Sequence, residues 1–128
     1  MSVIDQPIAP GQPLPHRKII REWLVPLTER TVRHALFLLV LDYSLWLCLM
    51  AGTVYFDSAW AKLLCGLAAG FVIGRLFIIG HDGCHQSLTP YRSLNKWLGR
   101  IAFLPSLTPY SLWDVGHTVV HHGYTNLK

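Results

Sequence analysis

Residues 59–85 read AWAKLLCGLAAGFVIGRLFIIGHDGCH. The first 22 of them, broken by Lys62 and Arg75, run without a pause into His81-Asp82-Gly83-Cys84-His85. About 20 apolar residues cross a hydrocarbon core of about 30 Å as a helix, so the stretch predicts a membrane span that ends in two histidines. Residues 35–56 form a second 22-residue run, broken by Asp42, and only Asp57-Ser58 separates the two. So short a joint forces an antiparallel hairpin. The expected fold class is all-α: an integral-membrane, two-helix transmembrane hairpin (spans about 35–56 and 59–80), followed by cytoplasmic and interfacial helices that carry histidines.

Composition agrees. Of 128 residues, 52% are hydrophobic and 14% charged, well below the about one quarter charged of soluble domains. The net charge of +4 comes from scattered residues that form no basic stripe, which argues against nucleic acid as a partner. Arginine and lysine gather before the first span (Arg17, Lys18, Arg21, Arg30, Arg33) and after the second (Arg92, Lys96, Arg100). By the positive-inside tendency the N-terminus and the histidines are cytoplasmic. Cys48 and Cys65 lie in apolar runs and Cys84 between histidines, without C-x-x-C spacing, so free thiols are expected.

Residues 1–33 are expected to form an extended proline-containing arm and then a basic amphipathic segment on the membrane surface, interrupted near Pro26; residues 34–128 form the membrane domain. Asp42 and Arg75 fall at similar depth, roughly 10 and 7 Å below the cytoplasmic helix ends, and an isolated charge there is costly, so an ion pair is expected. The second span is expected to continue as helix to Thr89-Pro90. Beyond it Leu94, Trp97, Leu98 and Ile101 repeat at i, i+3, i+4, i+7, with Asn95, Lys96 and Arg100 opposite, which predicts a helix lying on the membrane and capped by Ser93. Residues 101–113 are apolar but too short to cross, and Pro105 and Pro109 break them; Tyr110 and Trp113 are read as interface anchors. Ser111 or Asp114 starts the next helix.

Five of the seven histidines fall in two clusters, His81/His85 and His117/His121/His122. Residues four apart share a helix face, so each pair could aim two imidazoles at one point. A lone pair of this kind is usually surface polarity, but imidazoles are poor helix formers and costly to bury unpaired, so five beside apolar segments point to metal. His122 lies about 100° round the helix from His121, which favours a dinuclear centre. Histidine sets suit zinc, copper, iron and nickel alike, so these ligands alone do not choose the ion.

The two clusters resemble the first and second histidine boxes, H-x3-H and H-x3-H-H, of the integral-membrane fatty acid desaturase family. Trp113 before the second box and Tyr124-Thr125-Asn126 after it are similar to the acyl-lipid desaturases of bacteria and plastids. The resemblance covers about residues 35–128, the N-terminal portion of such an enzyme; the family's third box has no counterpart here. It implies a non-haem di-iron centre with two iron ions, bound by His81, His85, His117, His121 and His122. It implies O2-dependent introduction of a C=C bond into an acyl-lipid or fatty acyl thioester, with electrons from a ferredoxin or cytochrome b5, in contact with membrane lipids. Asp82 is either an acceptor that orients an imidazole N–H or a helix-end charge; Asn126 either supports the site or terminates a helix. Because five imidazoles underfill two irons, the chain alone is expected to be inactive. The alternatives are a membrane hydroxylase or carotenoid ketolase of the same superfamily, an inactive fragment, or a non-catalytic metal-binding membrane module. Haem is disfavoured, because all five histidines follow the second span.

Overall fold

The computed structural model describes residues 16–25 and 29–121. Among them there are helices and no strands. Helix α1 (Arg17–Leu24) starts at His16, whose Nδ1 accepts the Lys18 N–H; it buries no residue. The expected break near Pro26 lies outside the described residues. Helix α2 (Val32–Tyr55) begins with Thr31, whose hydroxyl accepts from the His34 N–H at 3.3 Å. Helix α3 runs over Ala59–Cys84.

At 1.5 Å per residue, α2 with 24 residues and α3 with 26 are about 36 and 39 Å long. Both are long and apolar enough to cross a membrane. Asp42 pairs with Arg75 near one end, and Gly52 meets Cys65 nearer the connection, so the helices are antiparallel. The seam buries Ala35, Leu39, Val72, Leu76 and Ile79. Facing away from it are Phe37, Leu47, Val54, Trp60, Leu64 and Phe71, the last 81% exposed. So large an apolar exterior fits hydrocarbon and not water.

The expected ion pair forms. Arg75 Nε and Nη2 both donate to Asp42 Oδ1 at 2.9 Å. The Asp42 side chain is 2% exposed and that of Arg75 55%, so the carboxylate is buried and the guanidinium reaches outward.

Helix α3 ends earlier than expected. The Gln86 N–H donates to Gly83 O at 3.1 Å and the Ser87 N–H to Asp82 O at 2.9 Å, the crossed bonds of a Schellman motif. That motif needs a left-handed residue, and Gln86 takes the place usual for glycine with φ of 57°. His85 therefore caps the helix at Cys84, and the helix does not reach Thr89-Pro90. The Arg30 guanidinium donates to Gln86 O at 2.9 Å and holds this turn.

Helix α4 (Arg92–Phe103) packs on α3 through a face that takes in Leu94 and Leu98 of its apolar period but turns away from Trp97 and Ile101. Trp97 and Ile101 are exposed, while Asn95, Leu98, Gly99, Ala102 and Phe103 are buried. Small residues decide this: a Cβ on Gly83 would lie 2.9 Å from Asn95 O and from Gly99 Cα, so only glycines allow the two backbones so close. Asn95 is satisfied within the fold. Its Oδ1 accepts from the Thr89 N–H and hydroxyl at 2.7 and 2.8 Å, and its Nδ2 donates to Thr89 O at 3.0 Å. The cap is Tyr91 and not Ser93. The Tyr43 hydroxyl donates to Ile101 O and ties α4 to α2.

After a 3₁₀ turn (Leu104–Ser106) and Leu107 with φ of 53°, a short helix α5 (Tyr110–Trp113) passes directly into a π-helical segment (Asp114–His121). Tyr110 is a buried packing residue and not an interface anchor. It contacts Phe103 and lies 3.4 Å from Gly83 O through its hydroxyl.

Candidate metal centre

The last turn of α3 delivers His81, and the Schellman turn places His85 above it. Their Nε2 atoms are 3.1 Å apart. The π-helical segment returns His117 to the same point, with its Nε2 2.9 Å from that of His81. The three imidazoles offer nitrogen atoms that all lie within 4.8 Å of one another, in partly buried surroundings. Two clusters 36 residues apart thus meet.

Asp82 Oδ1 lies 3.2 Å from His81 Nδ1. A proton on Nδ1, donated to this carboxylate, leaves Nε2 as a lone pair. Two further imidazole nitrogens face that single lone pair, which one lone pair cannot satisfy. A cation removes the conflict, because all three nitrogens can then present lone pairs to it. The spacing also fits: metal–imidazole distances of about 2.1 Å put neighbouring corners of an octahedron about 3.0 Å apart. The donor set therefore suits a transition metal.

His121 is placed next to this group. It does not join the group of three but stacks on His117, with centroids 5.2 Å apart and planes 20° apart. The cause is local geometry: the segment is π-helical, not α-helical, so residues four apart fall short of a full turn. His122 and Asn126 lie outside the described residues.

Sequence reasoning missed Trp113 as part of this site. Its ring stacks on His117, centroids 5.1 Å apart and planes 12° apart, and meets Phe77 of α3 edge-on at 4.7 Å. The i, i+4 spacing of Trp113 and His117 was a usable signal. An apolar cleft of about 550 Å³ opens beside them, lined by Pro109, Leu112, Trp113, Gly116, His117 and His121 among others. Burial raises the Tyr110 phenol above its ordinary value, and Cys84 and Asp114 add to the effect. It stays protonated and uncharged beside the cluster.

A model of the fatty acid desaturase family matches residues 57–128. An sn-1 acyl-lipid omega-3 desaturase (ferredoxin) of Synechocystis sp. is 33% identical over 97 residues, 76% of this chain and 27% of that protein. An sn-1 oleoyl-lipid 12-desaturase of Arthrospira platensis is 30% identical over 93 residues, 66% and 26% of the two chains. A chloroplastic omega-6 fatty acid desaturase of Spinacia oleracea is 27% identical over 126 residues, 91% of this chain and 27% of that protein. The chain thus spans about a quarter of the length of these curated relatives. No solved structure matches it.

Proposed function

The chain belongs to the fatty acid desaturase family, and from that premise we propose that it furnishes the first two histidine clusters of an O2-dependent acyl-lipid desaturase. It is a membrane protein of an oxidoreductase family. His81, His85, His117, His121 and His122 are the proposed ligands of two non-haem irons. When bound, such a pair supplies the O2 chemistry that removes hydrogen from two neighbouring methylenes of an acyl chain. The electrons come from a ferredoxin or cytochrome b5 carrier, the former being the donor in the name of the Synechocystis relative.

The observation that carries the reading is the convergence of His81, His85 and His117 from two separate elements. Asp82 holds the His81 tautomer through Nδ1 and so directs its Nε2 inward. The cleft beside His117 is apolar and takes a stretch of acyl chain, keeping water from it. The five imidazoles leave coordination positions for other residues to fill. In the proposed topology the N-terminus and both clusters are cytoplasmic, with residues 1–33 on the membrane surface and 34–128 as the membrane domain.

The test is anaerobic Fe(II) titration of the purified chain in lipid nanodiscs, with iron counted after desalting. Wild type is expected to retain iron and the His81→Ala/His85→Ala/His117→Ala variant to lose it. Equal iron in wild type and triple variant refutes the proposed site.

A further inference from the structure

Two ring contacts join α3 to the segment that carries the second cluster, and they are rungs of one ladder. Phe77 and His81 stand four residues apart on α3, and Trp113 and His117 stand four apart on the facing segment. Phe77 meets Trp113 at a centroid distance of 4.7 Å and 79° between planes. His81 meets His117 at the same 4.7 Å, with 65° between planes. The aromatic rung thus lies one turn before the histidine rung and spans the same centroid distance.

Trp113 is held on more than one side. Phe103 of α4 lies 6.1 Å from it, centroid to centroid, and His117 is stacked on its plane. Its indole Nε1 is buried with no hydrogen-bond partner among the described residues, and the contacts that hold the ring there are packing contacts. Trp113 closes α5, and the segment that follows it and bears His117 is π-helical, a rare form found mostly as single turns. Side-chain contacts must therefore fix where His117 points.

We propose that the Phe77–Trp113 pair is the spacer that sets the distance and ring orientation of His117 relative to His81. Trp113 is a positioning residue of the metal centre, and Phe77 is its counterpart on α3. The consequence for metal rests on the proposed ligand role of His81 and His117; the spacer itself does not.

The experiment uses the full chain in detergent micelles with isotope-labelled histidine. The first readout, without metal, is the through-space NMR cross-peak between the His81 and His117 ring protons. The second is Co(II) affinity with its visible ligand-field spectrum. Trp113→Leu and Phe77→Leu are expected to lose the cross-peak and to weaken Co(II) binding about 10–100-fold, the usual effect of removing a group that orients a ligand. Trp113→Phe keeps an aromatic ring and restores both. Trp97→Leu, on the exposed face of α4, changes neither. Should Trp113→Leu fail to fold, Phe77→Leu decides. An intact cross-peak in either leucine variant overturns the proposal, as does a Trp113→Phe variant no better than Trp113→Leu. If wild type takes up no Co(II), the ligand assignment fails while the cross-peak still decides the spacer.

Discussion

Replacing Gly83 by alanine probes the contact that seats the first histidine cluster on α4. The added Cβ would lie 2.9 Å from Asn95 O, 2.9 Å from Gly99 Cα and 3.2 Å from Gly99 N, all backbone atoms. Ordinary contact begins at 3.4 Å, so α4 must retreat by about 0.5 Å, and close-packed interiors resist such shifts. Overpacking of this kind costs about 1–3 kcal/mol. Alanine in a helix gains about 1 kcal/mol over glycine, which offsets part of that cost. Gly70→Ala isolates the packing effect, because a Cβ there meets nothing within 4 Å while the helical gain is the same in kind. The difference between the two variants is then the overpacking alone. At about 4 °C per kcal/mol for a chain of this size, Gly83→Ala should melt about 4–12 °C below Gly70→Ala. Thermal unfolding of both in one detergent, followed by tryptophan fluorescence, measures it. Midpoints within about 2 °C of each other would refute the claim that the α3–α4 approach requires glycine.

Two further outcomes are expected. Arg75→Met strands the buried Asp42 carboxylate and should cost about 3–5 kcal/mol, Asp42→Asn should cost less because the long Arg75 side chain already reaches outward and can extend to the headgroups, and the double variant should recover most of the loss; additive midpoints in a double-variant cycle would count against the pair. Burial holds the Tyr110 phenol above its ordinary value of 10.0, so below about pH 10 this group carries its proton in both the folded and unfolded chains and its contribution to stability is flat. Above that pH the unfolded chain ionises first and stability falls as pH rises toward the folded value. Tyr110→Phe should flatten that alkaline slope in melting curves, and an unchanged slope would show that the phenol titrates normally.

Much of the fold was legible in residue order because lipid imposes a length rule. The two apolar runs and their two-residue joint require a hairpin, and the intramembrane charges Asp42 and Arg75 had to find each other at matching depth. The histidine spacing likewise marked the site, since no fold was needed to see five imidazoles in two groups. The packed face of α4 was legible only in part, at Leu94 and Leu98, because periodicity reports the segregation of polarity, and at a membrane surface an apolar face can turn to lipid. Trp97 and Ile101 are exposed, and the close approach fell to Gly83 and Gly99, where size and not polarity selects the contact. The end of α3 was hidden for a related reason: the left-handed turn falls on Gln86, which carries no glycine signal, and the Arg30 guanidinium that holds it lies 56 residues away.

The sequence by itself determined two spans, their hairpin and the supply of histidines, since each follows from local length, spacing and residue type. Only the tertiary structure decided that His117 joins His81 and His85 while His121 stacks behind it. That choice depends on a π-helical turn and on the Phe77–Trp113 contact, and both are set by packing between segments that the order of residues does not place side by side.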